Sequence, residues 1–280
     1  GDVYKRQDRN DVIAEVDYSW AFTTIHEGAI YMVQSEQYHV DRLDWERRKA
    51  FVRKVDSEYY TDALSYAQVK ILHVLRPAPP GAPLPAEYGE VRVVRKAIGY
   101  KKIKFYTQEN LGWGDILLPE DTYHTQSTWF TVPPDVVAKL DVPPSDLQDA
   151  LQGIANLTHG LASLLLMCDG RDLGVVIGDR SREWFSRPSR PGMVAQPPPD
   201  RFEPTIFLYD QYSGGIGLAE ALHPRMPDLL RGAAERLDAC PCLAGCPSCV
   251  GPEGQVGAVA KEIARRLLAH LLATPAEAEA

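Results

Sequence analysis

The sequence lacks a long apolar run. Its longest largely apolar stretch, residues 161–167, is much shorter than the ~20 residues that a helix needs to cross a bilayer. No charged segment followed by an apolar one opens the chain, so no export signal is recognisable. We therefore expect a cytoplasmic protein with no membrane partner.

Positive charge is also scarce. The chain has 30 lysines and arginines against 38 aspartates and glutamates, which gives a formal net charge of −8 at pH 7. A protein that coats nucleic acid with its whole surface needs an excess of positive charge, so any phosphate contact must come from a local basic patch. The chain also lacks the G-x-x-x-x-G-K-[S/T] phosphate loop, which excludes ATP hydrolysis by the mechanism that depends on it.

The apolar content is ordinary, at 45% of 280 residues, and suffices for one large domain or two smaller ones. Residues 1–13 show neither capping nor periodicity, and the chain does not begin with methionine. We expect this segment to be the start of a fragment, an artefact or disordered, and it is left out of the fold prediction.

Residues 14–133 have the pattern of a β-rich subdomain. Short apolar and β-branched runs alternate with polar residues, which predicts antiparallel strands. The candidate strands are residues 21–25, 29–33, 50–55, 67–75, 91–98, 103–107 and 128–132. Residues 77–85 contain five prolines, which cannot donate to a sheet, so this segment is predicted to connect two strands at the surface. We expect a strongly bent, barrel-like sheet.

Residues 134–274 have a helical and mixed pattern, so the predicted fold class is α+β. Apolar residues at helical spacing predict a helix that begins near Ser145, with Ser145 and Gln148 as a capping box, and ends before Gly170. The other predicted elements are strands at 175–177 and 205–209, a loop at 187–204, a helix to about residue 237, a helix over 256–271 and a disordered tail at 275–280.

Four of the five cysteines lie within ten residues, in the pattern C-x-C-x3-C-x2-C: Cys240, Cys242, Cys246 and Cys249. A C-x2-C pair can place two sulfurs ~2.3 Å from one zinc ion, and the preceding C-x-C pair can supply the other two corners of a tetrahedron. This predicts a structural Zn²⁺ site. An iron centre and two disulfides are the alternatives, the latter less suited to a reducing cytosol. The fifth cysteine, Cys168, follows an apolar run and is predicted to be a buried free thiol.

One segment of the β-rich part is basic and contains an aromatic residue. Its members are Arg92, Arg95, Lys96, Tyr100, Lys101, Lys102 and Lys104. Such a hairpin could follow a phosphate backbone and stack a base, although charged strands are more often only solvated edges. A second basic cluster at residues 47–54 is interrupted by acids and is less convincing.

Two further patterns are weak. Residues 214–217, Gly-Gly-Ile-Gly, lie between a predicted strand and a predicted helix, but they lack the lysine and the full spacing of a phosphate-binding loop, and close backbone packing is the plainer interpretation. His159 and Asp169 could serve a hydrolase, but no nucleophile is placed to pair with them, so we do not assign them as catalytic.

Several segments together resemble a known family. The C-terminal half contains LLLMCDGRDLG, TIFLYDQYSGGIGLAEAL and CPCLAGCPSCVG, and the first half contains IHEGAIYMVQSEQYHVDRLD and YGEVRVVRKAIGYKKIKFYTQENLGWGDILLPEDTYHTQSTWF. These resemble the C-terminal zinc-binding accessory region of mitomycin-repair-factor-A-type DNA helicases, a superfamily-two group of DEAD/DEAH type. The resemblance covers roughly residues 14–272.

The resemblance implies an accessory, DNA-engaging region of an ATP-dependent repair helicase. Its partners would be DNA, expected to be single-stranded, and two upstream motor domains that hold ATP and Mg²⁺. No DEAD/DEAH-like box occurs in this chain, so the chain itself is not expected to hydrolyse ATP. The main alternative is a zinc-stabilised module whose acidic surface recruits a protein and never contacts DNA.

Overall fold

The computed structural model describes residues 2–6, 12–82, 84–180, 203–252 and 256–273. The chain divides into two compact units, each built from two pieces of sequence. The first unit comprises Gly1–Ala67 and Val94–Asp121, and the second comprises Gln68–Val93 and Thr122–Ala280. Strands and helices are both extensive, which confirms the α+β class. The division of the chain after residue 133 stays a prediction.

The first unit contains an open five-stranded sheet. Its strands are β1 (Asp2–Arg6), β2 (Val12–Val16), β3 (Ile30–Val33), β4 (Glu36–Asp44) and β5 (Lys49–Val55), in the order β2-β1-β5-β4-β3. All pairs are antiparallel except β1 with β5, which is parallel. Val40, Ala50 and Val52 project from β4 and β5 into a small apolar core. The sequence predicted a bent, barrel-like sheet, but this sheet does not close into a barrel.

A short helix, α1 (Tyr18–Thr24), lies where a strand was predicted at residues 21–25, so that prediction is wrong. The Asp17 carboxylate accepts a hydrogen bond of 2.9 Å from the Ser19 amide and caps the helix. Ala21 and Phe22 are buried on one side of it. The cap and the burial of this face outweigh the β preference of the residues that follow.

Two long strands, β6 (Tyr59–Arg76) and β7 (Ala86–Lys104), each contribute residues to both units. The proline-rich segment between them is largely exposed and connects them, as predicted. Within the first unit, β7 pairs with β8 (Asn110–Asp115) in an antiparallel hairpin. The separate strand predicted over residues 103–107 is wrong, because residues 103 and 104 end β7, which also contains the strand predicted over 91–98, and residues 105–107 form a turn.

The second unit contains strands of a second sheet and the helices that pack against them. Its strands follow the order β10-β11-β9-β7-β6, where β9 is Asp121–Thr131, β10 is Leu173–Asp179 and β11 is Pro204–Asp210. The helices are α2 (Pro134–Leu140), α3 (Pro144–Leu166), α4 (Leu218–Leu222), α5 (Met226–Ala239) and α6 (Ala260–Leu272), with a 3₁₀ turn at His223–Arg225. Phe130, Ile206 and Leu208 of the sheet pack with the apolar faces of α3, α5 and α6 in one core.

The boundaries of α3 and α6 differ from the predicted ones. Pro144 is the first residue of α3, so Ser145 lies inside the helix and its hydroxyl bonds to Asp146 instead of capping. The helix ends at Leu166, where Met167 adopts a left-handed conformation with φ of 53°. The last helix begins at Ala260, later than predicted. Most of the predicted loop and the whole predicted tail lie outside the described residues.

Candidate functional site

The four clustered cysteines lie at the end of α5, where Cys240 leaves the helix with an extended backbone. Their Sγ atoms all lie within 4.8 Å of one another. Four of the separations are 3.4–3.6 Å, around the cycle Cys240, Cys242, Cys249 and Cys246. A tetrahedron of sulfurs ~2.3 Å from its centre has edges of about 3.8 Å, so the four thiols fit a zinc ion.

Local backbone bonds shape this knuckle. The amides of Cys249 and Gly251 both donate to the Cys246 carbonyl oxygen at 3.0 Å, and the Cys246 amide donates to the Cys249 sulfur at 3.3 Å. At Gly245, a Cβ atom would lie 2.5 Å from the Gly251 carbonyl oxygen, so only glycine allows the turn to close this tightly. The spacing of the cysteines is therefore matched by the residues between them.

Three helices hold the knuckle through carbonyl oxygens. Asn156 of α3 donates to Val250 at 3.0 Å, and Arg236 of α5 donates to Ser248 at 2.9 Å. The Lys261 ammonium of α6 donates to the carbonyl oxygens of Cys240 and Cys242 at 2.7 and 2.5 Å and lies 3.4 Å from the Cys242 sulfur. Sequence reasoning missed these contacts, because no local spacing connects the three side chains to the cysteines.

The thiols influence one another's protonation. Desolvation and hydrogen bonds from the neighbouring thiols raise the pKa of Cys242 to about 12. A hydrogen bond from the Cys242 backbone amide, with help from neighbouring thiols, lowers the pKa of Cys240 to about 6. Four crowded thiols cannot all ionise without a cation to compensate their charge. Four sulfur ligands also leave no coordination position for water, so the chemistry suited to the cluster is structural.

Cys168 lies outside this cluster and is a half-buried free thiol. Desolvation, together with the charges of Asp172 and Asp169, raises the pKa of its thiol above the ordinary value. A thiol with a raised pKa is a poor nucleophile at neutral pH.

The glycine turn after β11 already binds an anion of the chain itself. The buried Asp210 carboxylate accepts hydrogen bonds from the amides of Ile216, Gly217 and Ala219 at 2.6–2.8 Å. These amides at the start of α4 are the donors that a phosphate would use. The turn is therefore a structural feature, in agreement with the plainer interpretation of the sequence.

His159 and Asp169 each have structural partners. The His159 Nε2 atom lies 2.9 and 2.8 Å from the carbonyl oxygens of Gly170 and Leu173, and it can donate to both. Hydrogen bonds from the Arg171 side chain and amide lower the pKa of Asp169 to about 2. These contacts fix the turn between α3 and β10.

The basic residues of β7 differ in their surroundings. Arg95 is buried and forms an ion pair with Asp121 at 2.5 Å, while Lys96 pairs with Glu120 at 3.3 Å. Tyr100 is buried, and its ring centroid lies 4.6 Å from that of His26. A Cβ atom at position 114 would lie 2.3 Å from the Tyr100 ring, so the absence of a side chain at Gly114 makes room for that ring. Arg92 is half-buried and belongs to the second unit.

The remaining lysines lie near aromatic rings of the first unit. Lys101 lies 5.2 Å from the ring centroid of Trp113, and Lys102 lies 5.5 Å from that of Tyr59. Trp113 is 38% exposed, so its ring is accessible. Sequence reasoning named Tyr100 and missed Trp113, although both belong to the predicted strand-rich region. Tyr100 is therefore not accessible for stacking on a base, whereas Trp113 is.

Lys104 lies near the tip of the β7–β8 hairpin, beside a pocket of about 530 Å³ in the first unit. Its other lining residues include Met32, Tyr106 and the acidic side chains of Glu36 and Asp56. The second basic cluster lies in and just before β5, a strand of the five-stranded sheet, and its cations are partly neutralised. Three of its ion pairs are Arg47 with Asp44, Arg53 with Asp41 and Lys54 with Glu36.

Among the described residues, no helix is long and apolar enough to cross a membrane.

An α+β fold with a closed cluster of four thiols defines a structural metal-binding protein. Residues 154–250, which run from α3 through the knuckle, match the family model of the MrfA Zn-binding domain. The chain is 38% identical over 257 residues to the ATP-dependent helicase YprA of Bacillus subtilis, covering 92% of this chain and 31% of the helicase. It is 20% identical over 249 residues to the ATP-dependent helicase HRQ1 of Saccharomyces cerevisiae, covering 86% and 22%.

A crystal structure of the DUF1998 helicase MrfA bound to DNA superposes with a TM-score of 0.61 at 36% identity, covering 96% of this chain and 33% of that one. The chain thus spans between about a fifth and a third of the length of these relatives. It contains a zinc-binding domain of the kind found in MrfA-type ATP-dependent helicases, which confirms the resemblance drawn from the sequence.

Proposed function

We propose that Cys240, Cys242, Cys246 and Cys249 bind one Zn²⁺ ion, and that the chain is an accessory region of an ATP-dependent DNA repair helicase that guides single-stranded DNA. The zinc ion would supply folding energy and no catalysis, because all four positions are taken by thiolates. ATP and Mg²⁺ would bind in motor domains that this chain does not contain, and we expect the protein to work in the cytoplasm.

The observation that carries the DNA proposal is the likeness to a helicase whose crystal structure is described as bound to DNA. The chain covers only a third of that helicase, so the likeness alone does not assign DNA contacts to any residue of this chain. The residues proposed for that role must come from the surface of this chain.

The β7–β8 hairpin carries the residues best suited to a single strand. Lys101, Lys102 and Lys104 can pair with phosphates, while the exposed Trp113 ring can stack on a base. Both interactions tolerate any sequence, as a translocating helicase requires. Arg95, Lys96 and Tyr100 instead support the hairpin, the first two through ion pairs and Tyr100 through burial.

The test is a titration of a labelled single-stranded oligonucleotide, followed by fluorescence anisotropy at several salt concentrations. A triple variant replaces Lys101, Lys102 and Lys104 with alanine. Each lost phosphate contact should lower the slope of log affinity against log salt by about 0.7, so the slope should fall by about 2. A separate Trp113→Leu variant should lose affinity with little change in slope, at a cost of about 1–3 kcal/mol.

A matched control keeps the change in net charge. In this control variant, Lys49, Lys54 and Lys139 are replaced with alanine. Lys49 and Lys54 lie on β5 and Lys139 lies on α2, away from the hairpin sequence. The control variant should bind almost as the wild type does at moderate salt. Equal losses in the two triple variants would show a nonspecific charge effect, and absence of binding by the wild type would remove the DNA proposal.

The pocket of the first unit favours a second candidate, a protein-interaction module. Glu36, Asp56 and Glu58 line it together with Met32 and the fully exposed Tyr106, a combination suited to a cationic side chain with an apolar stem. This module would be supported if the wild type bound no DNA while a lysine-rich peptide bound and a Glu58→Lys variant lost the peptide.

A further inference from the structure

Lys261 occupies an unusual position for a lysine. It is the second residue of α6, where the helix dipole places partial positive charge and a cationic side chain is unfavourable. It is half-buried and points its ammonium group at the cysteine knuckle. A lysine in such a place requires negative charge nearby, and its ammonium group contacts two carbonyl oxygens and a sulfur.

The three contacts match the three donors of an ammonium group. The Nζ atom lies 2.7 Å from the Cys240 carbonyl oxygen, 2.5 Å from the Cys242 carbonyl oxygen and 3.4 Å from the Cys242 sulfur. An ammonium has three hydrogens and no acceptor, so these three acceptors can use all of them. The two carbonyl bonds fix the nitrogen and direct its third hydrogen at the sulfur.

The charge of the proposed site supplies the reason. Four thiolates around one Zn²⁺ carry a net charge of −2, and two of the four cysteines, Cys240 and Cys249, are buried. A cation bonded to one thiolate reduces that excess and lowers the electron density on its sulfur. The carbonyl bonds also tie both ends of the C-x-C segment to α6.

We propose that Lys261 is a positioning residue of the zinc site, which offsets the excess negative charge of the four thiolates and protects the Cys242 sulfur from electrophiles. This inference rests on the proposed zinc ligands. It predicts two separable effects of Lys261, one on the affinity for the metal and one on the reactivity of a single sulfur.

The test compares three variants of the full chain. Lys261→Met keeps most of the stem and removes the charge, while Lys261→Arg keeps the charge with different geometry. Arg265→Met is the matched control, because Arg265 lies on the exposed side of the same helix and pairs with Glu262. Zinc affinity is measured by competition with a colorimetric chelator, and folding of the zinc-loaded proteins is checked by circular dichroism.

We expect Lys261→Met to lower the zinc affinity by about 10- to 100-fold, the usual effect of losing an outer partner of a metal ligand. Lys261→Arg should recover part of that loss, and Arg265→Met should show none. In zinc-loaded protein treated with an alkylating reagent, mass spectrometry of the peptides should show faster modification of Cys242 in Lys261→Met, with little change at Cys249. A purely structural role would raise the reactivity of all four cysteines together.

The outcomes separate this inference from the function on which it rests. If the wild type binds no metal, the proposed zinc ligands are wrong. If the wild type binds zinc and Lys261→Met retains wild-type affinity and reactivity, only the role of Lys261 is wrong. Should Lys261→Met fail to fold, Lys261→Gln removes the charge with a polar side chain, and wild-type zinc affinity and Cys242 alkylation in that variant would overturn the inference.

Discussion

Helix α3 should tolerate an added methyl group at one glycine and not at another. At Gly153, a Cβ atom would lie 2.7 Å from the Val250 Cβ and 2.9 Å from its Cγ1, in the buried contact between α3 and the knuckle. At Gly160, two turns further along the same helix, a Cβ atom would meet nothing within 4 Å. Alanine at either site gains the same intrinsic preference for a helix over glycine, about 1 kcal/mol.

The difference between Gly153→Ala and Gly160→Ala therefore isolates the packing cost. Overfilling a well-packed contact costs about 1–3 kcal/mol, and the Val250 Cβ cannot move away by a rotamer change because it is attached to the backbone. Gly160→Ala should raise the free energy of unfolding by about 1 kcal/mol. Gly153→Ala should lie about 1–3 kcal/mol below it, which cancels or reverses the helical gain.

Urea unfolding of the zinc-loaded variants, followed by far-UV circular dichroism, measures both values. Most of the described helical residues belong to the second unit, so the signal reports on the unit that contains α3 and the knuckle. Zinc release should also occur at lower urea in Gly153→Ala. If Gly153→Ala were as stable as Gly160→Ala, the packing of the knuckle on α3 described here would be wrong.

Two buried carboxylates give the remaining predictions. Asp210→Asn leaves one acceptor oxygen for three amides, and the loss of at least one bond to a charged group should lower the free energy of unfolding by about 2 kcal/mol, whereas the exposed Asp169→Asn should cost much less. At Glu87, burial would raise the carboxyl pKa, but hydrogen bonds from Arg180 and Trp129 lower it below 4.5. A lowered folded pKa stabilises the protein above about pH 4.5 and ceases to do so as the pH falls through it, so the stability advantage of the wild type over Glu87→Gln should shrink in acid unfolding series.

The cysteine knuckle could be predicted from the sequence because all of its ligands and turns are local. Ten residues carry the spacing of the thiols, and Gly245 lies where the turn needs it. Helix α3 and strands β10 and β11 were predictable for the same reason, since apolar periodicity is a local signal. The family resemblance then joined these pieces to one kind of protein.

Contacts between distant parts of the sequence were not predictable in this way. Glu87 binds Trp129 and Arg180, which lie 42 and 93 positions away, and Lys261 lies 19 positions from Cys242. No spacing rule relates such residues before the chain has folded. The pattern of β7 likewise indicated a basic hairpin, but it could not show which side chains face Asp121 and Glu120 and which face solvent.

The error at residues 21–25 has a local cause of another kind. Thr23, Thr24 and Ile25 are β-branched and favour a strand, yet the Asp17 cap begins a helix just before them. A cap that uses Asp17 and Ser19 is visible in the sequence, but it competes with the strand pattern. Burial of Ala21 and Phe22 on one side decides between them, and burial depends on the tertiary structure.

The zinc site can be tested most directly by elemental analysis of the purified chain beside a Cys246→Ser variant. The account predicts one equivalent of zinc in the wild type and almost none in the variant, with unfolding of the second unit, since structural zinc contributes about 10–16 kcal/mol to folding at neutral pH. Iron or no metal in the wild type, or a second unit that keeps its full stability in a strong chelator, would contradict it.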